Sequence, residues 1–201
     1  RALRDYALRL DTEALSGAAR VVAGAIKSVQ DCGDLDSLRG IEGEGAQAYF
    51  SVFDHLILQQ KESFVFQRRN RRPPTDNVNA LLSFVYTLLA HDVEAALETV
   101  GLDPYAGFLH RDRPGRASLA MDLMEELRPA LADRLVLSLI NKREIAASGF
   151  IQKENGSVVM DADTRKAVIN GWQNKKKDEL THPFLGEKLS WGLIPYIQAS
   201  L

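Results

Sequence analysis

His110 lies in a loop among arginines and glycines, and Asp122 and Glu125 follow it by 12 and 15 residues. The two acids stand three apart in "SLAMDLMEELR", so a helix there puts both carboxylates on one face. Asp122 falls among Leu119, Met121, Leu123 and Met124, the apolar side, where a carboxylate without a partner is costly. A further acid, Glu42, sits in "RGIEGEGAQAYF" among Gly40, Gly43 and Gly45, with Glu44 beside it. Brought together, an imidazole and carboxylate oxygens make a divalent cation site. Carboxylates suit Mg2+ or Mn2+, and the imidazole tilts the choice towards Mn2+. Arginines beside such a site suit a phosphate substrate. A metal next to a phosphate does phosphodiester chemistry, polarising a phosphoryl oxygen and activating the attacking hydroxyl. The same residues admit a plainer reading: a loop-closing histidine, a solvated acidic helix face bonded to neighbours such as Arg128, and solvated arginines.

Helices must bring these groups together, and the apolar spacing is mostly helical. Residues 1–30 read as one or two helices, with stripes at Leu3, Tyr6, Ala7 and Leu10, then at Ala14, Ala18, Val21, Val22, Ala25, Ile26 and Val29. After the turn "DCGDLDS", Ser37 is a candidate cap for a helix that carries Glu42 and runs on through Tyr49, Phe50, Phe53, Leu56 and Ile57. Pro73 and Pro74 force "RRNRRPPTDN" into a loop. Thr75 or Asp76 then caps a helix over about 77–99 with Asn79, Leu82, Tyr86 and Leu89 along it. "GLDPYAGFLHRDRPGR" is a second long loop, and helices follow over about 118–134 and 135–143. Asn155-Gly156 between β-forming runs predicts a hairpin near 150–160. Asp163 is expected to cap a helix ending near Leu180, and "HPFLGEK" to lead into the last one. The expected fold class is mainly α, a helical domain with one small β-hairpin.

The chain has 201 residues and a formal charge of −2, which argues against a uniformly basic nucleic-acid binder. The charge is uneven, however: "KESFVFQRRNRR" carries five basic residues against one acid, and "HRDRPGR" three arginines against one acid. One cysteine, Cys32, excludes an internal disulfide and any multi-cysteine metal site. No apolar stretch reads as approaching the roughly 18 residues that span a bilayer, and no signal peptide opens the chain. Together these predict a cytoplasmic protein without membrane contact. The start at Arg1 and the end at "IPYIQASL", inside an apolar-periodic run, predict a piece of a longer protein lacking an N-terminal portion. His55 and His91 fall within helices, and His182 precedes Pro183 at a helix end, where a cation suits the dipole. The three lysines of "QNKKKDEL" are placed to touch a nucleic acid, with a solvated helix face as the commoner reading.

Four stretches carry a resemblance: "GIEGEGAQAYF", "RRPPTDNVNALLSFVYTLL", "GLDPYAGFLHRDRPGRASLAMDLMEELRP" and "THPFLGEKLSWGLIPYIQA". They resemble successive motifs of the CRISPR-associated protein 1 family, the integrase that inserts new spacers into a CRISPR array. The motifs come in the family's order, and the second and third are long and specific. The resemblance implies that residues 1–201 form the helical catalytic domain of a protein whose N-terminal β-rich domain is absent from this chain. It implies a divalent metal, Mn2+ or Mg2+, bound by Glu42, His110 and Glu125, with Asp122 at a further acidic position that supports the site. Many relatives carry aspartate where Glu125 stands, so the direct ligand role is open between Glu125 and Asp122. Small residues at 40, 43, 45 and 46 would let another backbone and a DNA phosphate come close to Glu42. Glu44 matches no family role.

The implied reaction is a transesterification, in which the 3′-hydroxyl of incoming spacer DNA attacks a phosphodiester at the repeat boundary. Arg68, Arg69, Arg71, Arg72, Arg111, Arg113 and Arg116 are candidates for holding the backbone of double-stranded or branched DNA, with surface salt bridges as the alternative. Asn79 and Tyr86 lie on the long helix and are expected to approach the site, Tyr86 orienting the attacking end, stacking on a base, or simply buried. Implied partners are CRISPR-associated protein 2 and, in the full-length family, a second copy of the chain. Two other readings stand beside this one: a metal-dependent endonuclease acting on branched DNA with water as nucleophile, and a non-catalytic helical scaffold.

Overall fold

Asp76 accepts a hydrogen bond from Asn79 N at 2.8 Å and so starts the longest helix among the described residues, Asn77–Thr99. In a computed structural model, residues 12–111, 113–181 and 185–200 are described. The stripe expected at Leu3–Leu10, and His182, lie outside them. In chain order the elements are α1 (Thr12–Gln30), α2 (Leu35–Ser51), a 3-10 turn (Phe53–Leu56), α3 (Asn77–Thr99), α4 (Ser118–Leu127), a π-helical turn (Arg128–Asp133) and α5 (Arg134–Asn141). Then come a 3-10 turn (Ala147–Gly149), β1 (Phe150–Gln152), β2 (Val158–Met160), α6 (Ala162–Lys175), β3 (Glu179–Thr181), β4 (Lys188–Ser190), a 3-10 turn (Trp191–Leu193) and α7 (Ile194–Ser200). The fold is mainly α, as expected.

α3 is the centre of the core. Val78, Leu81, Leu82, Val85, Leu89, Val93 and Leu97 on it are all buried, against Leu127, Leu131, Val136, Leu139, Ile140 and Trp172. Each fully buried side chain of this kind stabilises the fold by roughly 1.5–3 kcal/mol. The expectation that no stretch approaches membrane length needs correcting here. By length and composition α3 is apolar enough to cross a bilayer, with a mean hydropathy of 1.4 over its most apolar window. The reason is its position: a helix surrounded by partners is apolar on most sides.

Several local expectations shift. Asp34, not Ser37, caps α2, accepting from Asp36 N and Ser37 N at 3.0 and 2.9 Å. α2 stops at Ser51, and the chain tightens into a 3-10 turn that turns Phe53 into the core. Asp161, not Asp163, caps α6 through Thr164 N at 2.7 Å. The helix expected through about 134 is interrupted by Pro129, which has no N–H to donate, and the ladder widens into a π-turn. The Asn155-Gly156 hairpin forms as expected, pairing Phe150 with Met160. A second antiparallel pair, β3 with β4, joins it where a helix end was expected.

α1 and α2 pack on each other as a helical hairpin. The α1 stripe is only partly covered, with Val21, Ile26 and Val29 left 40%, 63% and 44% exposed. α2 buries none of its residues.

Candidate metal centre

Backbone packing places the His110 loop before any side chain does. Leu119 N, in the first turn of α4, donates to Pro104 O at 2.9 Å and ties the loop's start to that helix. A Cβ at Gly107 would lie against Ser118 Cβ and 2.8 Å from His110 O, so only glycine lets the loop lie this close. One turn into α4, Asp122 collects the loop. Its Oδ2 accepts from Phe108 N and Leu109 N at 2.7 and 2.9 Å. Its Oδ1 accepts from His110 N at 2.8 Å and meets the ring Nδ1 at 2.6 Å. Burial pushes the Asp122 carboxyl up, but the bond to His110 and the three backbone donors outweigh it, and the net direction is down. A carboxylate only accepts, so Nδ1 carries a ring proton and Nε2 is the ring nitrogen left to face a ligand. Nε2 faces Glu125 Oε1 at 3.9 Å.

Glu125 stands one turn beyond Asp122, and its other oxygen contacts Arg128 Nη2. Glu42, Tyr49, Tyr86, Glu125, Arg128 and Asp133 border one cavity of about 610 Å3, with apolar residues of α1 as another wall. α2 is drawn to the loop by Arg39 Nε, which donates to Leu109 O at 2.8 Å, and by the pair of Arg111 with Asp36 at 2.8 Å. Glu42 is exposed on the cavity rim.

The donors fit a divalent cation in kind. A ring nitrogen free of its proton, fixed by a carboxylate on the opposite nitrogen, is the usual state of a metal-binding histidine. Asp122 has both oxygens engaged by the loop and the ring, and Glu125 has an oxygen turned to His110. The three expected ligands are not closed on one point, however. Among the described residues, no three His, Cys, Asp or Glu side chains stand close enough to hold one ion. The structure brings His110 and Glu125 together and puts Glu42 on the same cavity. It also contains the plainer alternative, the Glu125–Arg128 ion pair.

The arginines divide. Arg68, Arg71, Arg72, Arg111 and Arg113 are exposed, and Arg116 is half-buried. Arg69 is turned inward, donating to Asn79 Oδ1 at 2.7 Å and Ser83 Oγ at 3.1 Å. Asn79 is fully buried and holds the 68–76 loop through Arg68 O, Asn70 N and Asp76 instead of facing solvent. Tyr86 borders the cavity, its ring flanked by Arg69 and Arg128 at 5.2 and 5.4 Å. Two of the three lysines in "QNKKKDEL" are paired, Lys175 with Asp178 and Lys176 with Asp92.

Asp133 went unremarked in the sequence. It is 1% exposed and accepts from Tyr86 Oη at 2.6 Å and Tyr49 Oη at 2.9 Å, joining α2, α3 and the π-turn beneath the cavity. Burial pushes its carboxyl up, against the pull of the two hydroxyls and of Arg128 and Arg69. Its partners are 84 and 47 residues away, so no local signal marks it.

The family model described as CRISPR associated protein Cas1 matches residues 1–174. A CRISPR-associated endonuclease Cas1 of Chlorobaculum tepidum is 54% identical over 201 residues, all of this chain and 59% of that relative. The chain thus spans little more than half the length of that protein. Among solved structures, a casposase bound to its integration product superposes with a TM-score of 0.79 at 27% identity, over 88% of this chain and 49% of that one. A Cas6-RT-Cas1–Cas2 complex gives 0.78 at 27% identity, over 94% of this chain and 20% of that one.

Proposed function

The chain belongs to the CRISPR associated protein Cas1 family, and from its site we propose that it joins the 3′-hydroxyl ends of spacer DNA to the CRISPR repeat by metal-dependent transesterification. The observation that carries this is the Asp122-fixed His110, whose Nε2 faces Glu125 on the cavity that Glu42 borders. Glu42, His110 and Glu125 would hold Mn2+ or Mg2+. When bound, the ion supplies Lewis-acid chemistry, neutralising phosphoryl charge and lowering the pKa of the attacking hydroxyl. Asp122 fixes the ring and its proton. The exposed arginines of the two loops hold DNA by its phosphates and position it without reading sequence. A new phosphorus–oxygen bond to the spacer end forms as the bond to the repeat's 3′-oxygen breaks. The attacking hydroxyl gives up a proton, and the departing oxygen takes one. The casposase likeness supports joining chemistry, and the likeness to a complex that includes Cas2 supports Cas2 as a partner. A second copy of the chain belongs to the same proposal.

The test is strand joining and disintegration of branched DNA with Mn2+, comparing His110→Ala and Glu42→Ala with the wild type. Loss of about 100-fold or more is expected from removing a ligand. Undiminished activity in either variant removes the reading. The word endonuclease in the name of the Chlorobaculum relative favours a second reading, cleavage, which we take to be hydrolysis of branched DNA by water at the same site. Product analysis separates them, since joining leaves a longer strand and cutting leaves two shorter ones.

A further inference from the structure

Arg128 is a cation in direct contact with one of the candidate ligands, Glu125. Its guanidinium contacts the Glu125 carboxylate, and only 17% of its side chain is exposed. It borders the cavity shared by Glu42, Glu125 and Asp133 and lies 5.4 Å from the centre of the Tyr86 ring. Burial works against its charge, and Asp133 and Glu42 help to sustain it. Three acids thus face one largely buried guanidinium. Glu125 gives one oxygen to Arg128, while the other stays 3.9 Å from His110 Nε2.

We propose that Arg128 stands in for the divalent cation: in the metal-free protein it neutralises Glu125, and it leaves that carboxylate when metal binds. This rests on the metal reading of the site given above. Two positive charges on one half-buried carboxylate repel. The Glu125–Arg128 pair and the metal therefore compete, and each weakens the other by the same factor. Arg128 is a positioning residue, acting on the site through Glu125.

The test is Mn2+ binding, read without catalysis. MnCl2 is titrated into the full chain, with free Mn2+ followed by electron paramagnetic resonance, for the wild type, Arg128→Met and Arg128→Lys. Arg128→Met should bind Mn2+ about tenfold more tightly, a modest coupling between competing cations. Arg128→Lys keeps the charge and should stay near the wild type. Arg128→Met should also melt lower without metal and gain more from MnCl2 than the wild type does. A measurement on the wild type avoids any question of folding: Mn2+ should raise the modification of Arg128 by phenylglyoxal, read by peptide mass mapping. Affinity unchanged or weakened in Arg128→Met, or modification unchanged or lowered by Mn2+, overturns the proposal while leaving the metal reading intact. Failure of wild type and variant alike to bind Mn2+ ends both.

Discussion

His110 and Asp122 form one unit: ring Nδ1 and carboxylate Oδ1 are 2.6 Å apart, and the same carboxylate gathers the backbone N–H groups of Phe108, Leu109 and His110. One acid therefore sets the loop, the ring's orientation and the ring nitrogen that donates to it. Asp122→Asn preserves the shape but sets an amide against Nδ1, which moves the ring proton to Nε2 and blocks it. Mn2+ affinity and DNA joining should fall roughly 10–100-fold with the helical circular dichroism retained. Joining at the wild-type level would show that the tautomer is irrelevant.

The 68–72 arginines should behave as two classes. Arg68→Ala, Arg71→Ala and Arg72→Ala each lower the salt slope of DNA binding by about 1 if that residue meets a phosphate. Arg69→Ala instead lowers stability, by about 1–3 kcal/mol, because it strips Asn79 and Ser83 of a charged donor. Filter binding across NaCl concentrations and urea melts separate the two. A slope change from Arg69→Ala alone would invert the assignment.

Asp133 gives a pH dependence with a definite sign. Its folded-state pKa is raised, chiefly by burial. The native chain then holds a proton that the unfolded chain has released, so this group's contribution to stability is full below the ordinary aspartate value of about 3.9 and is lost as pH rises through the folded value. Asp133→Asn keeps an acceptor for one of the two tyrosines, offers its amide N–H to the hydroxyl oxygen of the other, and removes the titration. The stability of the variant relative to the wild type should climb with pH across that window in urea melts. A difference that stays level would show that the carboxylate is not raised.

Gly43 isolates the question of access to Glu42. No atom outside its own helix backbone and chain neighbours lies within 4 Å of where its Cβ would be, and the same holds for Gly40 and Gly45. Packing within the described chain does not require these glycines. Gly43→Ala should stabilise α2 by up to about 1 kcal/mol and weaken binding of branched DNA. A more stable protein with unchanged DNA affinity would mean that nothing approaches Glu42 from that side.

The candidate ligands were legible because metal chemistry accepts few side chains, and His110, Asp122 and Glu125 are close in sequence. Choosing between Asp122 and Glu125 needed the loop, since the three backbone donors that occupy Asp122 leave no trace in residue types. Asp34 and Ser37 can both cap a helix, as can Asp161 and Asp163, and only backbone direction decides between them. Pro129 was visible, but a proline can end, bend or widen a helix, and the packing of Leu131 and Ala132 belongs to the whole core. Asn79 looked like a polar group on a functional helix. Its carboxamide is spent on a loop whose path the sequence does not state.

α2 carries Glu42 yet buries no residue, while α4, which carries Asp122 and Glu125, sinks Ser118, Ala120, Met124 and Leu127 into the core. The parts of the candidate centre are therefore anchored differently: two acids are bolted to the frame, and the third rides a helix riveted at Tyr49 to Asp133, at Arg39 to Leu109 and at Asp36 to Arg111. Pulling a rivet would leave every candidate group in the chain and act on their alignment.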